Sequence, residues 1–203
     1  MTAPLHHRLP RRTLLLALAA CMVLPVRAGA AARRYRLDPG ATRVGFTFTL
    51  NGTPQSGTLP VRQADIRIDP ARLTASSVDV RLDAGRARTG IGFVTTTLIG
   101  PQMLDARRFP EIRFRSTAIR PGAGGRLSDG AGITGDLTLH GITRPLTFAA
   151  DLYRPRGSAA DDLSRLTVHL RGHLSRAAFG LTAYADMVGD TVGLSIDAAI
   201  RAA

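Results

Sequence analysis

The chain has no tryptophan, no lysine and a single cysteine, Cys21. Each absence removes options. Cys21 lies in an N-terminal segment that reads as a leader, so the mature chain has no thiol for a disulfide, a nucleophile or a cysteine metal site. Without lysine, arginine carries all the positive charge, and the arginines are spread along the chain rather than clustered. With seven phenylalanines and no tryptophan, but plentiful alanine, glycine and valine, the interior has little bulk to fill it. No G-x-S-x-G elbow, P-loop or dinucleotide fingerprint is present, and no serine stands beside a histidine in a recognisable catalytic order. No internal repeat or second domain is visible.

The start of the chain reads as an export signal. Arg8, Arg11 and Arg12 precede an uncharged apolar run, Thr13 to Val26, which ends at Ala28-Gly29-Ala30. The run is shorter than the roughly 20 residues that span a bilayer. Residues 1–30 are therefore expected to be a signal peptide and 31–203 the mature domain, periplasmic or secreted. The pair Arg11-Arg12 leaves both the twin-arginine and the ordinary export route open. Leu18-Ala19-Ala20-Cys21 resembles a lipobox, so a lipoprotein anchored at Cys21 is the alternative. Removing the leader's four arginines lowers the formal charge from +12 to +8.

The mature part reads as β throughout. Val44, Phe46, Phe48 and Leu50 alternate with small or polar residues, as do Val78, Val80 and Leu82, then Leu166, Val168, Leu170 and Leu174, and finally Val192, Leu194, Ile196 and Ile200. Shorter runs surround Ile66-Ile68, Ile112-Phe114 and the stretch Gly132 to Phe148, which turns at His140-Gly141. A period of two marks strands with one dry face and one wet face. Turn signals at Asp38-Pro39-Gly40, Asn51-Gly52, Asp69-Pro70, Gly122-Ala123-Gly124-Gly125 and Gly189-Asp190 separate the runs. Many short strands favour a sandwich or a barrel, and closure removes exposed edges. Residues 89–109 break the period and read as a loop with short helices over one barrel mouth. The helical turns are expected at Met103 to Phe109, before Pro110. Arg154 to Ser164 reads as a hairpin loop.

Which face is dry decides the class. The polar rows carry Asp79, Arg81, Arg113, Arg115, His169, Arg171, Asp197 and Arg201. Such charges would cost about 2–4 kcal/mol each facing bilayer hydrocarbon, so they face water and the apolar rows face inward. Small residues on the inward rows, Gly135, Ala150, Gly172 and Ala198, favour an unfilled bore. A dry bore gains roughly 0.8 kcal/mol per buried methylene, which suits an extended hydrocarbon.

Four segments in order, "YRLDPGATRVGFTFTLNG" (35–52), "ARRFPEIRFRST" (106–117), "GDLTLHGITRPLTF" (135–148) and "SRAAFGL" (175–181), resemble the YceI-like family of secreted polyisoprenoid-binding proteins. The resemblance implies an all-β, lipocalin-like antiparallel barrel of about eight strands with a short helical segment near residues 90–109. It further implies an isoprenoid tail, of a quinone or polyprenyl carrier, as the ligand and no enzymatic activity. Two places depart from the family pattern. "TTTLIGPQML" stands where the family usually has an Arg-Asp-x-x-Leu element, and "TLNGTPQSG" lacks the usual histidine.

On this reading Phe46, Phe48, Phe114, Phe148 and Ile196 line the tunnel, and Phe93, Leu98, Met103 and Leu104 shape its lid. Arg107 and Arg108 stand beside the lid, either meeting a headgroup or simply as solvated charges. No cofactor, metal or catalytic residue is expected. Asp136 points outward, His140 is exposed at a corner, and His169 with His173 share the outer face without a third ligand. Asp161-Asp162 falls in the hairpin loop, where preorganisation is poor. The expected partner is an isoprenoid or other long-chain lipid, with room for a transient membrane contact and a homodimer but not for nucleic acid. The alternatives are an enzyme acting on an isoprenoid inside the barrel and a filled barrel serving as an interaction module.

Overall fold

The computed structural model describes residues 32–123, 129–159 and 161–203. The expected leader with Cys21, Gly124-Gly125 of the expected turn and Ala160 of the expected hairpin loop lie outside them. In chain order come β1 (Arg33–Leu37), β2 (Arg43–Leu50), β3 (Thr53–Thr58), β4 (Val61–Ile68), β5 (Ser77–Asp83), β6 (Arg88–Thr89), α1 (Gly92–Ile99), β7 (Glu111–Pro121), β8 (Ala131–Leu139), β9 (Ile142–Tyr153), β10 (Arg165–Ser175) and β11 (Thr191–Ala202).

These strands form one closed antiparallel sheet. β4, β5, β7, β8, β9, β10 and β11 pair in that order, and β1 closes the ring by pairing with both β4 and β11. Three staves are composite. β11 pairs β1 through Ile200–Ala202 and β2 through Gly193–Asp197, so β1 and β2 make one stave interrupted at Asp38–Thr42. β4 and β3 share the next stave, and β5 and β6 the one after. The result is an eight-stave barrel with one short helix, the architecture that the family resemblance implied. Closure leaves no long edge to pair with another molecule.

The alternation explains the inside and outside directly. On β9, Leu146, Phe148 and Ala150 are buried while Pro145, Thr147, Ala149 and Asp151 are exposed. On β7 the alternation changes parity at a bulge between Ser116 and Ala118, so Ile119 rather than Ala118 returns inward. Two tight hairpins carry both central residues at positive φ: Asn51-Gly52 (49° and 75°) and His140-Gly141 (51° and 76°). That is the primed-turn geometry matching strand twist, and asparagine and glycine tolerate it best.

The helix is not where helix propensity places it. The segment Met103 to Phe109 forms turns, with Asp105 at φ 43°, and the helix is α1, in the Thr-rich stretch before it. β-Branched residues disfavour helix intrinsically, so local hydrogen bonds and packing hold this one. Thr95 Oγ1 accepts from Thr89 N at 2.9 Å and lies 2.9 Å from Thr89 Oγ1. Leu104 and Ala106 then donate to the carbonyls of Leu98 and Ile99, folding the turn segment back on the helix.

One barrel end is closed by Tyr35, Ile66, Ile68, Leu73, Leu166 and Ile200. Tyr35 is 1% exposed. Burial pushes its phenol pKa up, and its hydroxyl donates to Leu163 O at 2.9 Å. Nearby, buried Asp69 accepts from Ala71 N and Arg72 N at 3.0 and 2.9 Å, forming the Asp69-Pro70 turn.

The outer face is charged at mid-strand. Arg113 clamps Asp79 through Nε to Oδ1 (3.0 Å) and Nη2 to Oδ2 (2.5 Å). This hydrogen bond holds the Asp79 carboxyl below the ordinary carboxylate range. An unfolded Asp titrates near pH 3.9, so the pair's contribution is complete above that value and is lost as pH falls through the lower folded value. Because the pair is partly exposed, solvent screening holds the effect to under about 1 kcal/mol. Melting curves between about pH 5 and pH 2 should therefore fall more steeply for the native chain than for Asp79→Asn; parallel curves would remove the pair from the stability balance.

Candidate ligand-binding cavity

Inside the barrel lies a cavity of about 570 Å³. Pockets that enclose small molecules span roughly 300–1,000 Å³. The lining is almost wholly apolar and runs from Leu37, Ile68 and Leu73 at the closed end to Leu50, Phe93 and Val188 at the other. Its polar members gather at the two ends: Thr42, Arg67 and Ser76 at one, and Asn51, Thr97, Arg176 and Tyr184 at the mouth. The barrel is therefore not packed solid by its own side chains.

The glycines on the inward rows contribute differently from simple loss of volume. They seat phenylalanine rings against the wall. A Cβ on Gly57 would lie 2.2 Å from Phe46 Cζ, one on Gly135 2.6 Å from Phe114 Cζ, and one on Gly172 2.9 Å from Phe148 Cδ1. Each ring lies over a glycine instead of projecting across the bore, which is how aromatic side chains cover glycine in sheets. Phe114 and Phe148 also meet edge to face at 5.1 Å. The bore survives because its largest residues lie along the wall.

Phe46, Phe48, Phe93, Leu98, Met103, Leu104, Phe114, Phe148 and Ile196 all border the cavity. Met103 and Leu104 are buried, whereas Phe93 is 80% exposed on α1 and forms part of the lip. Ile91 and Met187 are the other large apolar residues exposed around this mouth.

The arginines of the turn segment are placed elsewhere. Arg107 and Arg108 are exposed and do not border the cavity; Arg108 lies over the Phe109 ring at 5.1 Å. The arginine of the mouth is Arg176, 4% exposed and bordering the cavity. Its guanidinium donates to the carbonyl oxygens of Gly189 (3.1 Å), Ala183 (2.8 Å), Val188 (2.8 Å) and Leu181. These bonds hold residues 181–189 across the mouth. The available signal was its setting in Ser175–Leu181, where one arginine stands among Ala177, Ala178, Phe179 and Leu181. Asp190 supports the same turn by accepting from Ala177 N at 2.9 Å, and bonds from Ser175 and Ala177 lower its pKa. The Tyr184 hydroxyl donates to Gln102 Oε1, tying this loop to the segment after α1.

The other polar residues take varied places. Asp136 is exposed, as alternation requires. His140 is not exposed but half-buried, because the Phe109 ring packs on it at 4.8 Å and the Phe179 carbonyl lies 3.4 Å from its Nδ1. His169 pairs with Asp197 at 2.5 Å on the outer wall, away from His173. Among the described residues, no three His, Cys, Asp or Glu side chains cluster as metal ligands. No helix among them is long and apolar enough to cross a membrane.

With the barrel, the bore and its mouth established, comparison with known proteins settles the family. The model of the YceI-like domain matches residues 35–200. The chain belongs to the YceI-like family. Among curated relatives, a UPF0312 protein of Vibrio parahaemolyticus is 28% identical over 137 residues, covering 66% of this chain and 69% of that one. A UPF0312 protein of Pseudomonas putida is 30% identical over 114 residues, covering 56% and 54%. The fold recurs in Burkholderia cenocepacia BcnA, with a TM-score of 0.69 at 21% identity over 81% of this chain and 99% of that one. It recurs in a polyisoprenoid binding domain from Saccharophagus degradans implicated in plant cell wall breakdown, with a TM-score of 0.61 at 13% identity over 84% and 99%.

Proposed function

We propose that this YceI-like barrel holds a long apolar lipid of the isoprenoid class, such as a quinone or polyprenyl carrier, for transport, storage or sequestration. The observation that carries this reading is the apolar bore, lined from Leu37, Ile68 and Leu73 at one end of the barrel to Leu50, Phe93 and Val188 at the other. Its shape favours an extended chain over a compact ring system. The charged exterior lets the complex remain in water while the tail stays dry. The Saccharophagus degradans neighbour, described as polyisoprenoid-binding, supports the same ligand class. The leader read from the sequence puts this activity in the periplasm or outside the cell, and no cofactor beyond the lipid itself is needed.

The test is native mass spectrometry of protein purified from a membrane-containing source, followed by organic extraction. A retained prenyl lipid released unchanged supports the carrier. Chemical conversion of added lipid would replace this reading with the enzyme, and protein free of any lipid-sized adduct would oppose both.

Transfer requires the ligand to reach the bore without crossing water, since each exposed methylene costs about 0.8 kcal/mol. The lip of Ile91, Phe93 and Met187 meets that need by touching a bilayer during exchange. In vesicle flotation, Ile91→Ser/Phe93→Ser is expected to lower the bound fraction about threefold. Unchanged flotation would remove the lip from the transfer step.

A further inference from the structure

We propose that Arg176 anchors an oxygen-bearing headgroup at the mouth of the bore, so that the ligand enters tail-first with a carbonyl or phosphate oxygen beside the guanidinium. The inference rests on the carrier reading and adds the ligand's polarity and direction. Arg176 is a permanent cation, 4% exposed, bordering an apolar cavity. Among the described residues it makes no salt bridge, and its nearby acid, Asp190, instead accepts hydrogen bonds from Ser175 and the Ala177 backbone. Four of its N–H groups go to loop carbonyls, one from Nε, two from Nη1 and one from Nη2. A guanidinium has five. The remaining Nη2 hydrogen is the one donor without an assigned acceptor.

Carbonyl dipoles alone compensate a buried charge incompletely, and a further acceptor inside a low-dielectric site is worth more than in water. Tyr184 and Asn51 border the same end of the cavity and add polar groups beside it. Among the described residues the far end has no buried cation: Arg67 there is exposed and paired with Asp65 at 3.5 Å. Among the described residues the two ends are thus chemically unequal, and only the mouth offers a buried cation to a head. Arg107 and Arg108 do not share this role, since both lie outside the lining.

The test compares three probes of equal tail length on the native chain: an isoprenoid quinone, a polyprenyl phosphate and an isoprenoid hydrocarbon without a head. At least one oxygen-headed probe is expected to bind about tenfold more tightly than the hydrocarbon, and the tighter of the two identifies the head as carbonyl or phosphate. In Arg176→Gln that preference should fall to within about twofold while hydrocarbon binding persists. Because Arg176 also holds the mouth loop, infrared spectra of the native complex supply an independent reading. The carbonyl or phosphate stretch of the bound probe should shift to lower frequency relative to the same probe in hexane. Equal affinity for all three probes, or an unshifted stretch in the native complex, overturns the headgroup site while leaving the bore intact. Failure of every probe, the hydrocarbon included, overturns the carrier reading and the anchor with it.

Discussion

Filling the bore at Ala150 and Ala198 with phenylalanine is expected to abolish lipid retention without unfolding the protein. Both residues are buried, both border the cavity, and they lie on adjacent regions of β9 and β11 on either side of β10. In a close-packed core, such enlargement forces strain costing about 1–3 kcal/mol per site. Here the added rings enter open space and gain apolar contacts, so the melting temperature should hold or rise. Retention of a prenyl lipid, measured by native mass spectrometry, should drop at least about tenfold, because the tail and the new rings compete for the same volume. The two readouts are coupled. Lost retention with a kept melting temperature is the signature of a functional bore. A lowered melting temperature would indicate a filled core, and undiminished retention would move the ligand elsewhere on the molecule.

Gly57→Ala should both destabilise the protein and narrow its bore. The added Cβ would lie 2.2 Å from Phe46 Cζ and 2.6 Å from the Arg88 carbonyl oxygen. Phe46 must swing into the bore, and the short β3–β6 pairing through Gly57 and Thr89 must open. Overpacking of this kind costs about 1–3 kcal/mol, and for a domain of this size each kilocalorie lowers the melting temperature by about 2–4 °C. The displaced ring would also narrow the bore and weaken lipid retention. Gly57→Ala/Phe46→Leu tests the cause, because a smaller side chain removes the ring contact but not the backbone contact. The double variant should recover part of the lost stability relative to the sum of the single changes, a coupling typical of residues in contact. Strict additivity would mean that Gly57 matters for the backbone contact alone and does not seat the ring.

Much of the fold is legible because a strand writes its orientation into every second residue. The runs around Val44–Leu50, Leu166–Leu174 and Val192–Ile200 declare both their extended form and their dry face. The signal fades where geometry departs from strict alternation. At the Ser116/Ala118 bulge the parity changes, so the pattern beyond Arg115 is unreadable without the partner strand. β3 is polar and contains Pro54, so no alternation marks it, yet it is a strand because β2 pairs with it through the Asn51-Gly52 turn. The helix fell in Gly92–Ile99 instead of the better helix-forming Met103–Phe109 because tertiary contacts outweigh propensity. The apolar lining was readable for the same reason as the strands, whereas the mouth was not. In sequence only its setting among Ala177, Ala178, Phe179 and Leu181 distinguishes Arg176 from Arg107 or Arg108, and its burial follows from a loop that returns five to thirteen residues later to surround it.

By itself the sequence determined the chain's class: β-strands of period two, a wet charged face, and an apolar inner face with no tryptophan and few phenylalanines to fill it. Only the tertiary structure decided how that inner face becomes a cavity. Strand closure brings Gly57, Gly135 and Gly172 beneath rings from neighbouring strands, and the rings lie flat where a side chain would have pushed them inward. The physical reason is that alternation is a property of one strand, while free volume belongs to the whole barrel.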